Sequence, residues 1–288
     1  MLTPIDIKNK AAGYIESRIG GRKENQDSAG IKETELGYLV VVCDGMGGMQ
    51  GGSVASQLAV LTILDTLSSA DKQENPSMAM VKAIRNANMA ILEEGRNTSH
   101  QGMGTTVTAI LFTPNSAVTA YVGDSRIYQL RNGKKIFRTF DHSMVFEMVK
   151  KKVISEEQAR LSAQSNIILK ALGVNTDIEV EVEERPYLKG DRFILCTDGF
   201  WGAMPEDELI RRLSENLPVN QVLEKTANYI ENIGRNSGKE YDNLTAAVIE
   251  MDCNSKLKDR KTVRGKLLIA LVAVAAVAAV VLVFSLCY

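Results

Sequence analysis

Histidine is nearly absent from this chain of 288 residues, with His100 and His142 the only two. The four cysteines (Cys43, Cys196, Cys253 and Cys287) lie far apart and form no CxxC pair. Supply alone argues against a zinc site of Cys and His ligands, and free thiols in a reducing, cytoplasmic setting are expected. An excess of one charge is missing too. Lys and Arg number 34 against 35 Asp and Glu, a formal net of −1, which gives no global attraction to nucleic acid. Proline is scarce at six residues, and no repeat or low-complexity tract precedes residue 256. With 45% hydrophobic and 24% charged residues, disorder of the whole chain is excluded. The first ten residues are polar and mixed, without the apolar core of a secretory leader.

The even charge hides a sharp polarity. Residues 256–266 read KLKDRKTVRGK, six basic side chains and one acid, which leaves the remainder at −6. Residues 267–284 then read LLIALVAVAAVAAVVLVF, without one polar side chain. As a helix this run rises roughly 27 Å, close to the thickness of a hydrocarbon core. Val-rich stretches become helical in lipid because each backbone group must bond internally. A buried core helix is the bland alternative, but such helices rarely lack a polar side over this length. The expectation is a domain over residues 1–253, a basic juxtamembrane linker at 254–266 and one transmembrane helix at 267–286. The basic cluster then belongs on the cytoplasmic side, with the domain, in a single-pass protein of the cell membrane.

Within the domain, apolar runs of strand length fall at 38–43 (YLVVVC), 106–112 (TVTAILF), 117–122 (AVTAYV), 192–196 (RFILC) and 244–249 (LTAAVI). Alternation at 178–182 (IEVEV) predicts a half-exposed strand, and Asn132-Gly133 a tight hairpin, so part of the sheet is antiparallel. Ser53 is placed to cap a helix through Ser69. Ser77 is placed to cap another to Glu94, with Gly95 as its terminator. Pro205 opens a third helix and a fourth spans about 220–233. Strands come in groups and helices in pairs, which favours sheets covered by helices over a doubly wound parallel sheet. Residues 141–173 carry helical pieces and exposed charge but no strand, and read as an insertion beside the sheet.

Three apolar runs finish alike: VVVCDGMGG at Asp44-Gly45, AYVGDS at Asp124 and FILCTDG at Asp198-Gly199, while Asp242-Asn243 precedes a fourth run. Asp-Gly is an ordinary turn dipeptide, and one alone would signify little. Gly45, Gly47, Gly48, Gly51 and Gly52, leading into a helix, exceed what a turn requires and permit close backbone approach to a ligand. Four carboxylates converging would repel one another unless cations neutralised them. An all-oxygen donor set favours Mg²⁺ or Mn²⁺. Arg22, five residues ahead of Asp27, has the planar fork that grips phosphate, although a lone loop arginine is more often a solvated charge.

In order along the chain stand Arg22-x-x-Asn25-Gln26-Asp27, VVCDGMGG, Gly104-Thr105-Thr106, VGDSRIY, Asp141-His142-Ser143, CTDGFW and Asp242-Asn243-Leu244-Thr245. From about Gly20 to Met251 this set resembles the metal-dependent Ser/Thr protein phosphatases of type 2C (PPM) in their bacterial form. The resemblance implies an α+β fold: a four-layer α-β-β-α sandwich, two antiparallel sheets flanked by helix pairs, here with a C-terminal transmembrane helix. It implies two Mn²⁺ or Mg²⁺ ions per site. Asp44 would bridge them, the Gly45 carbonyl would bind the second, and Asp198 and Asp242 the first. Asp124, with Asp198, would form a third-metal site. Arg22 would bind the phosphate, Asp27 would orient metal-bound water, and 141–173 would be the flap beside the site.

The activity so implied is hydrolysis of phosphoserine and phosphothreonine in proteins by metal-activated water, without a phosphoenzyme, opposing a Ser/Thr kinase. Cys43 and Cys196 sit inside apolar strands, and no CxxxxxR loop of a cysteine phosphatase is present. Met46 stands where eukaryotic relatives carry His, and a thioether cannot donate a proton to the leaving alkoxide, which leaves that task to water. Two other readings compete. A regulatory domain that binds phosphoproteins with weak turnover is disfavoured by the intact Asp44, Asp198 and Asp242. A nuclease or phosphodiesterase is disfavoured by the acidic domain, which would repel a polyanion.

Overall fold

The computed structural model describes residues 2–7, 10–47, 51–98, 100–238 and 240–257. The chain opens with β1 (Thr3–Ile7), β2 (Ala11–Arg18), β3 (Asp27–Glu33) and β4 (Tyr38–Met46), then two helices, α1 (Gly51–Ser68) and α2 (Pro76–Asn97). Next come β5 (Gly104–Thr105), β6 (Val107–Phe112), β7 (Ala117–Val122), β8 (Arg126–Arg131) and β9 (Lys134–Arg138). Two short helices, α3 (Met144–Lys150) and α4 (Glu156–Arg160), precede β10 (Glu181–Arg185) and β11 (Arg192–Cys196). Helices α5 (Asp198–Trp201), α6 (Glu206–Leu213) and α7 (Val219–Asn236) lead to β12 (Leu244–Met251).

Two antiparallel sheets result, in the orders β1-β2-β12-β11-β8-β9 and β10-β7-β6-β4-β3, with β5 paired to the end of β4. Side-chain alternation builds the layers. Leu39, Val41 and Cys43 of β4 face α1 and α2, against Ala59, Ile63 and Ile84. Val40 and Val42 face the other sheet, against Phe193, Leu195, Ala247 and Ile249. On the outer side of that sheet, Ile194, Ala246 and Val248 meet Leu209, Leu223 and Ile230 of α6 and α7. The expected four-layer sandwich is thus present. Strand β4 reads as an unbroken apolar run because both its faces are covered.

Several local expectations are corrected. Helix α1 begins at Gly51, and Ser53 lies inside it, donating to Glu24 Oε1 at 2.6 Å. Helix α2 is capped by Asn75, whose Oδ1 accepts from the Met78 N–H at 3.0 Å, and Pro76 rather than Ser77 opens it. It runs through Gly95 to Asn97 and ends at Thr98; Gly95 is buried in the helix and has no positive φ, so it does not act as a terminator. The strand expected at 178–182 lies at Glu181–Arg185, where its register with β7 sets it. The strand expected at 38–43 extends further, so Asp44 lies within β4, which continues through Gly45 and Met46 onto β5. The hairpin at Asn132-Gly133 is present, with φ of 51° and 73°.

The segment 141–173 holds α3 and α4 around a small core of Val145, Phe146 and Ala159. Its base is a buried ion pair: Arg126 grips Asp141 through two bonds of 2.8 Å and lies 3.3 Å over the Trp201 ring. Asp141→Ala is expected to destabilise the fold by about 3–5 kcal/mol, because the guanidinium stays buried without its partner. Urea denaturation measures this, and a loss below about 1 kcal/mol would show that the pair contributes little. Among the described residues no helix is long and apolar enough to cross a membrane. The span expected at 267–286, and the linker beyond residue 257, lie outside the described residues.

Candidate active site

The alternation that builds the inter-sheet core also builds the site. Two residues beyond Val42 and Leu195, and two before Ala29 and Ala247, the inward positions become Asp44, Thr197, Asp27 and Thr245. The apolar core therefore ends in a polar rim at one end of the sandwich. There a cavity of about 500 Å³ is lined by Arg22, Asp44, Gly45, Asp124, Asp198 and Asp242, among others. Six of the seven expected site residues converge on it. Asp27 does not line it, but stands cross-strand from Asp44 in the β3–β4 pair.

Each side chain is held from behind. The Asp44 N–H donates to Thr106 Oγ1 at 3.0 Å, and its carbonyl accepts from the Thr106 N–H and Thr105 Oγ1, both at 2.8 Å. Gly45 admits no side chain: a Cβ would lie 2.0 Å from the Gly52 carbonyl oxygen and 2.6 Å from that of Gln26. The close approach foreseen from the glycines is therefore made by the chain itself, at the first turn of α1. Asp124 follows Gly123, whose φ of +111° turns the chain, and the Trp201 indole N–H donates to the Asp124 carbonyl at 3.0 Å. Asp198 opens α5. Asp242 accepts from Arg22 Nη2 at 2.9 Å and from the Asn243 N–H at 2.8 Å.

The family Protein phosphatase 2C matches residues 16–246 of this chain. The chain belongs to it. A relative of the phosphatase, the serine/threonine phosphatase stp of Listeria monocytogenes serotype 4b, is 34% identical over 243 residues, covering 83% of this chain and 94% of that one. The crystal structure of the Mycobacterium tuberculosis serine/threonine phosphatase PstP/Ppp is 29% identical with a TM-score of 0.72, covering 84% of this chain and 99% of that one. A structure of the PstP catalytic domain in complex with 2 manganese ions is 28% identical with a TM-score of 0.70, covering 84% and 98%.

The electrostatics of the cavity follow from the burial of its carboxylates. Burial, and then the neighbouring carboxylates, push Asp44 and Asp124 well above the ordinary carboxylate range. Asp198 rises to about 6 through burial and then Asp242, although its hydrogen bond with Asp44 opposes this. Asp27 rises to about 7 through burial, despite the bond that its Oδ2 accepts from Thr197 Oγ1 at 3.0 Å. Asp124 Oδ1 and Asp27 Oδ1 are buried with no hydrogen-bond partner. Such a group is short of positive charge, and its all-oxygen donors suit a hard divalent cation. Among the described residues no three His, Cys, Asp or Glu side chains are gathered so as to hold an ion by themselves.

Some residues of the site escaped the sequence reading. Lys23 and Asn166 line the cavity, the latter from the flap. Asn243 ties the Arg22 loop to the sheet, donating to the Ile19 and Glu24 carbonyls at 2.7 and 2.9 Å and accepting from the Gln26 N–H at 2.9 Å. Its place beside Asp242 was the available signal. His142 is structural, with Nδ1 accepting from the Gly123 N–H at 3.2 Å and the ring stacked on Tyr121. Burial first, then Lys170 and Lys150, lower it to about 4, so it stays neutral.

Proposed function

We propose that this cavity hydrolyses phosphoserine and phosphothreonine in proteins with the help of divalent cations, and that the enzyme opposes a Ser/Thr protein kinase. The chain is a serine/threonine protein phosphatase of the 2C type. The observation that carries the site assignment is the convergence of Asp44, Asp124, Asp198 and Asp242 beside Arg22 in one cavity. Asp44, Asp198 and Asp242, with the Gly45 carbonyl, would hold two Mn²⁺ or Mg²⁺ ions, and Asp124 with Asp198 a third. Bound there, such ions acidify water and offset negative charge on the phosphoryl oxygens. Arg22 is 45% exposed at its ion pair with Asp242, a weak surface contact. The guanidinium has five N–H donors, so it can take a phosphate without giving up Asp242. Asp27, beside Asp44, orients water. Met46 lines the cavity but carries no proton, so water protonates the leaving alkoxide.

Arg22→Ala tests the phosphate-binding role. Hydrolysis of a phosphothreonine peptide in Mn²⁺ is expected to lose about ten- to a hundredfold in kcat/KM, the value of a charge-assisted pair. An unchanged kcat/KM would remove Arg22 from the site.

Residues 267–286 are assigned as a single membrane span with the catalytic domain in the cytoplasm. The support is the run without a polar side chain behind a basic cluster. The described chain also ends far from the cavity. The Lys256 and Leu257 N–H groups donate to the Pro114 and Asn115 carbonyls in the β6–β7 turn, whereas the cavity lies at the opposite end of those strands. The full chain is expected to sediment with membranes and resist high-salt extraction, while residues 1–257 stay in the supernatant. Release by salt alone would show electrostatic adhesion without insertion.

A further inference from the structure

Beside the catalytic cavity, and sharing Asp124, Asp198 and Asp242 with it, lies a second hollow of about 290 Å³. Its two sides differ in chemistry. One is largely apolar: Trp201 and Ala203 at the end of α5, Ile233 on α7, and the ring of Tyr241. The other is the flap, with Arg160, Ser165 and Asn166. Polar groups here are largely engaged already. The Trp201 indole N–H is spent on the Asp124 carbonyl. Arg160 is paired with Glu157 at 2.6 Å and donates to the Gly202 carbonyl at 3.2 Å, joining the flap to the end of α5.

We propose that this hollow is a substrate subsite that takes an uncharged, apolar side chain flanking the phosphorylated residue, of the leucine, methionine or phenylalanine kind. The proposal rests on the phosphatase reading of the adjoining cavity. Three arguments carry it. The hollow shares Asp124, Asn166, Asp198 and Asp242 with the cavity assigned to phosphate hydrolysis, so a peptide held in that cavity brings a neighbouring side chain within reach of it. Its volume is at the small end of ligand pockets, which run from about 300 Å³, and so suits one side chain rather than a cofactor. A charged side chain lying against Trp201, Ala203, Ile233 and Tyr241 would lose water that an apolar wall does not replace.

The wall is also fixed relative to the phosphate-binding arginine. The Tyr241 ring packs on Gly234, where a Cβ would lie 2.4 Å away, and on Gly21, where it would lie 2.9 Å away. The Gly21 N–H donates to the Tyr241 carbonyl at 3.0 Å. Gly21 is the neighbour of Arg22, so one tyrosine holds both the subsite wall and the loop that grips phosphate. A side chain seated against that wall places the phosphate at Arg22.

The test uses the full chain in Mn²⁺ and phosphothreonine peptides carrying Leu, Gly or Glu on either side of the phosphoresidue, with para-nitrophenyl phosphate as a substrate that has no flanks. On one side, Leu is expected to exceed Gly by roughly tenfold in kcat/KM, the range for a filled apolar pocket, with Glu lowest. Ala203→Leu fills the hollow from one wall and Ile233→Ser makes the other polar. Each should bring the Leu peptide down to the Gly level and leave para-nitrophenyl phosphate unchanged. Trp201 is the only tryptophan in the sequence, so its emission should shift with the Leu peptide and not with the Gly peptide. Equal kcat/KM for Leu and Gly on both sides, or a Leu preference that survives both variants, overturns the subsite. Failure to hydrolyse any of these substrates overturns the phosphatase reading instead.

Discussion

Asp44→Asn is expected to lower kcat/KM for a phosphothreonine peptide by roughly a thousandfold in saturating Mn²⁺, without harming the fold. The activity loss follows from charge. Asp44 lies where burial and four other carboxylates, Asp27, Asp198, Asp124 and Asp242, already oppose its ionisation, so its negative charge is favoured by cations beside it. An amide of the same shape weakens their hold, and a site that stabilises charge at phosphorus by about 4 kcal/mol loses that much of its rate. The stability effect should have the opposite sign. In chelator near pH 8 the wild type must either bury a charge or hold a proton far above the ordinary pKa of that proton. Asparagine does neither, so the metal-free variant should melt at or above the wild type. A variant that is inactive because it is unfolded, melting several degrees below wild type in chelator, would refute this account of Asp44. The same reasoning extends to Asp198→Asn, whose carboxylate is also raised by burial and by Asp242.

The aspartates were readable because each follows or precedes an apolar strand, and a strand end fixes a side chain at an edge of the sheet. Their convergence was not readable from spacing. It depends on pairings such as Thr245 with Ser17, across 228 residues, and β3 with β4, which sets Asp27 opposite Asp44. The strands that complete this edge were themselves hidden. In β2 the run AAGYIESR contains Gly13, where a Cβ would lie 2.3 Å from the Val248 carbonyl oxygen, so close packing replaced the apolar signal by a small residue. In β3 the run DSAGIKE holds Gly30 for the same reason, against Val60 and Leu64 of α1. Helix caps failed in a different way. Ser53 and Ser77 are good caps by type, but Ser53 is drawn inward by Glu24 and Ser77 is outcompeted by Asn75-Pro76. Local chemistry named the candidates, and contacts between distant segments chose among them.

Removing the cations should make stability fall as pH rises. Asp27 and Asp198 go from the ordinary value of 3.8 to about 7 and about 6 in the folded chain. Their folded pKa values lie above the unfolded ones, so between these limits the folded state binds more protons. The stabilisation is complete below about pH 4 and is lost as pH climbs through 6 to 7. Metal-stripped protein is therefore expected to melt higher at pH 5 than at pH 8, falling progressively between the two. Divalent ions would compete with the proton on Asp198, one of their proposed ligands, and their charge would oppose protonation of Asp27 behind it. At a hundred times its dissociation constant an ion adds about 2.7 kcal/mol, or roughly 5–10 °C for a domain of this size. That gain should be large at pH 8 and small at pH 5, where protons hold the site. Differential scanning fluorimetry with and without Mn²⁺ at the two pH values decides it. An equal Mn²⁺ shift at both, or a flat melting profile in chelator, would mean that the orphaned oxygens of Asp27 and Asp124 do not mark a place built for positive charge.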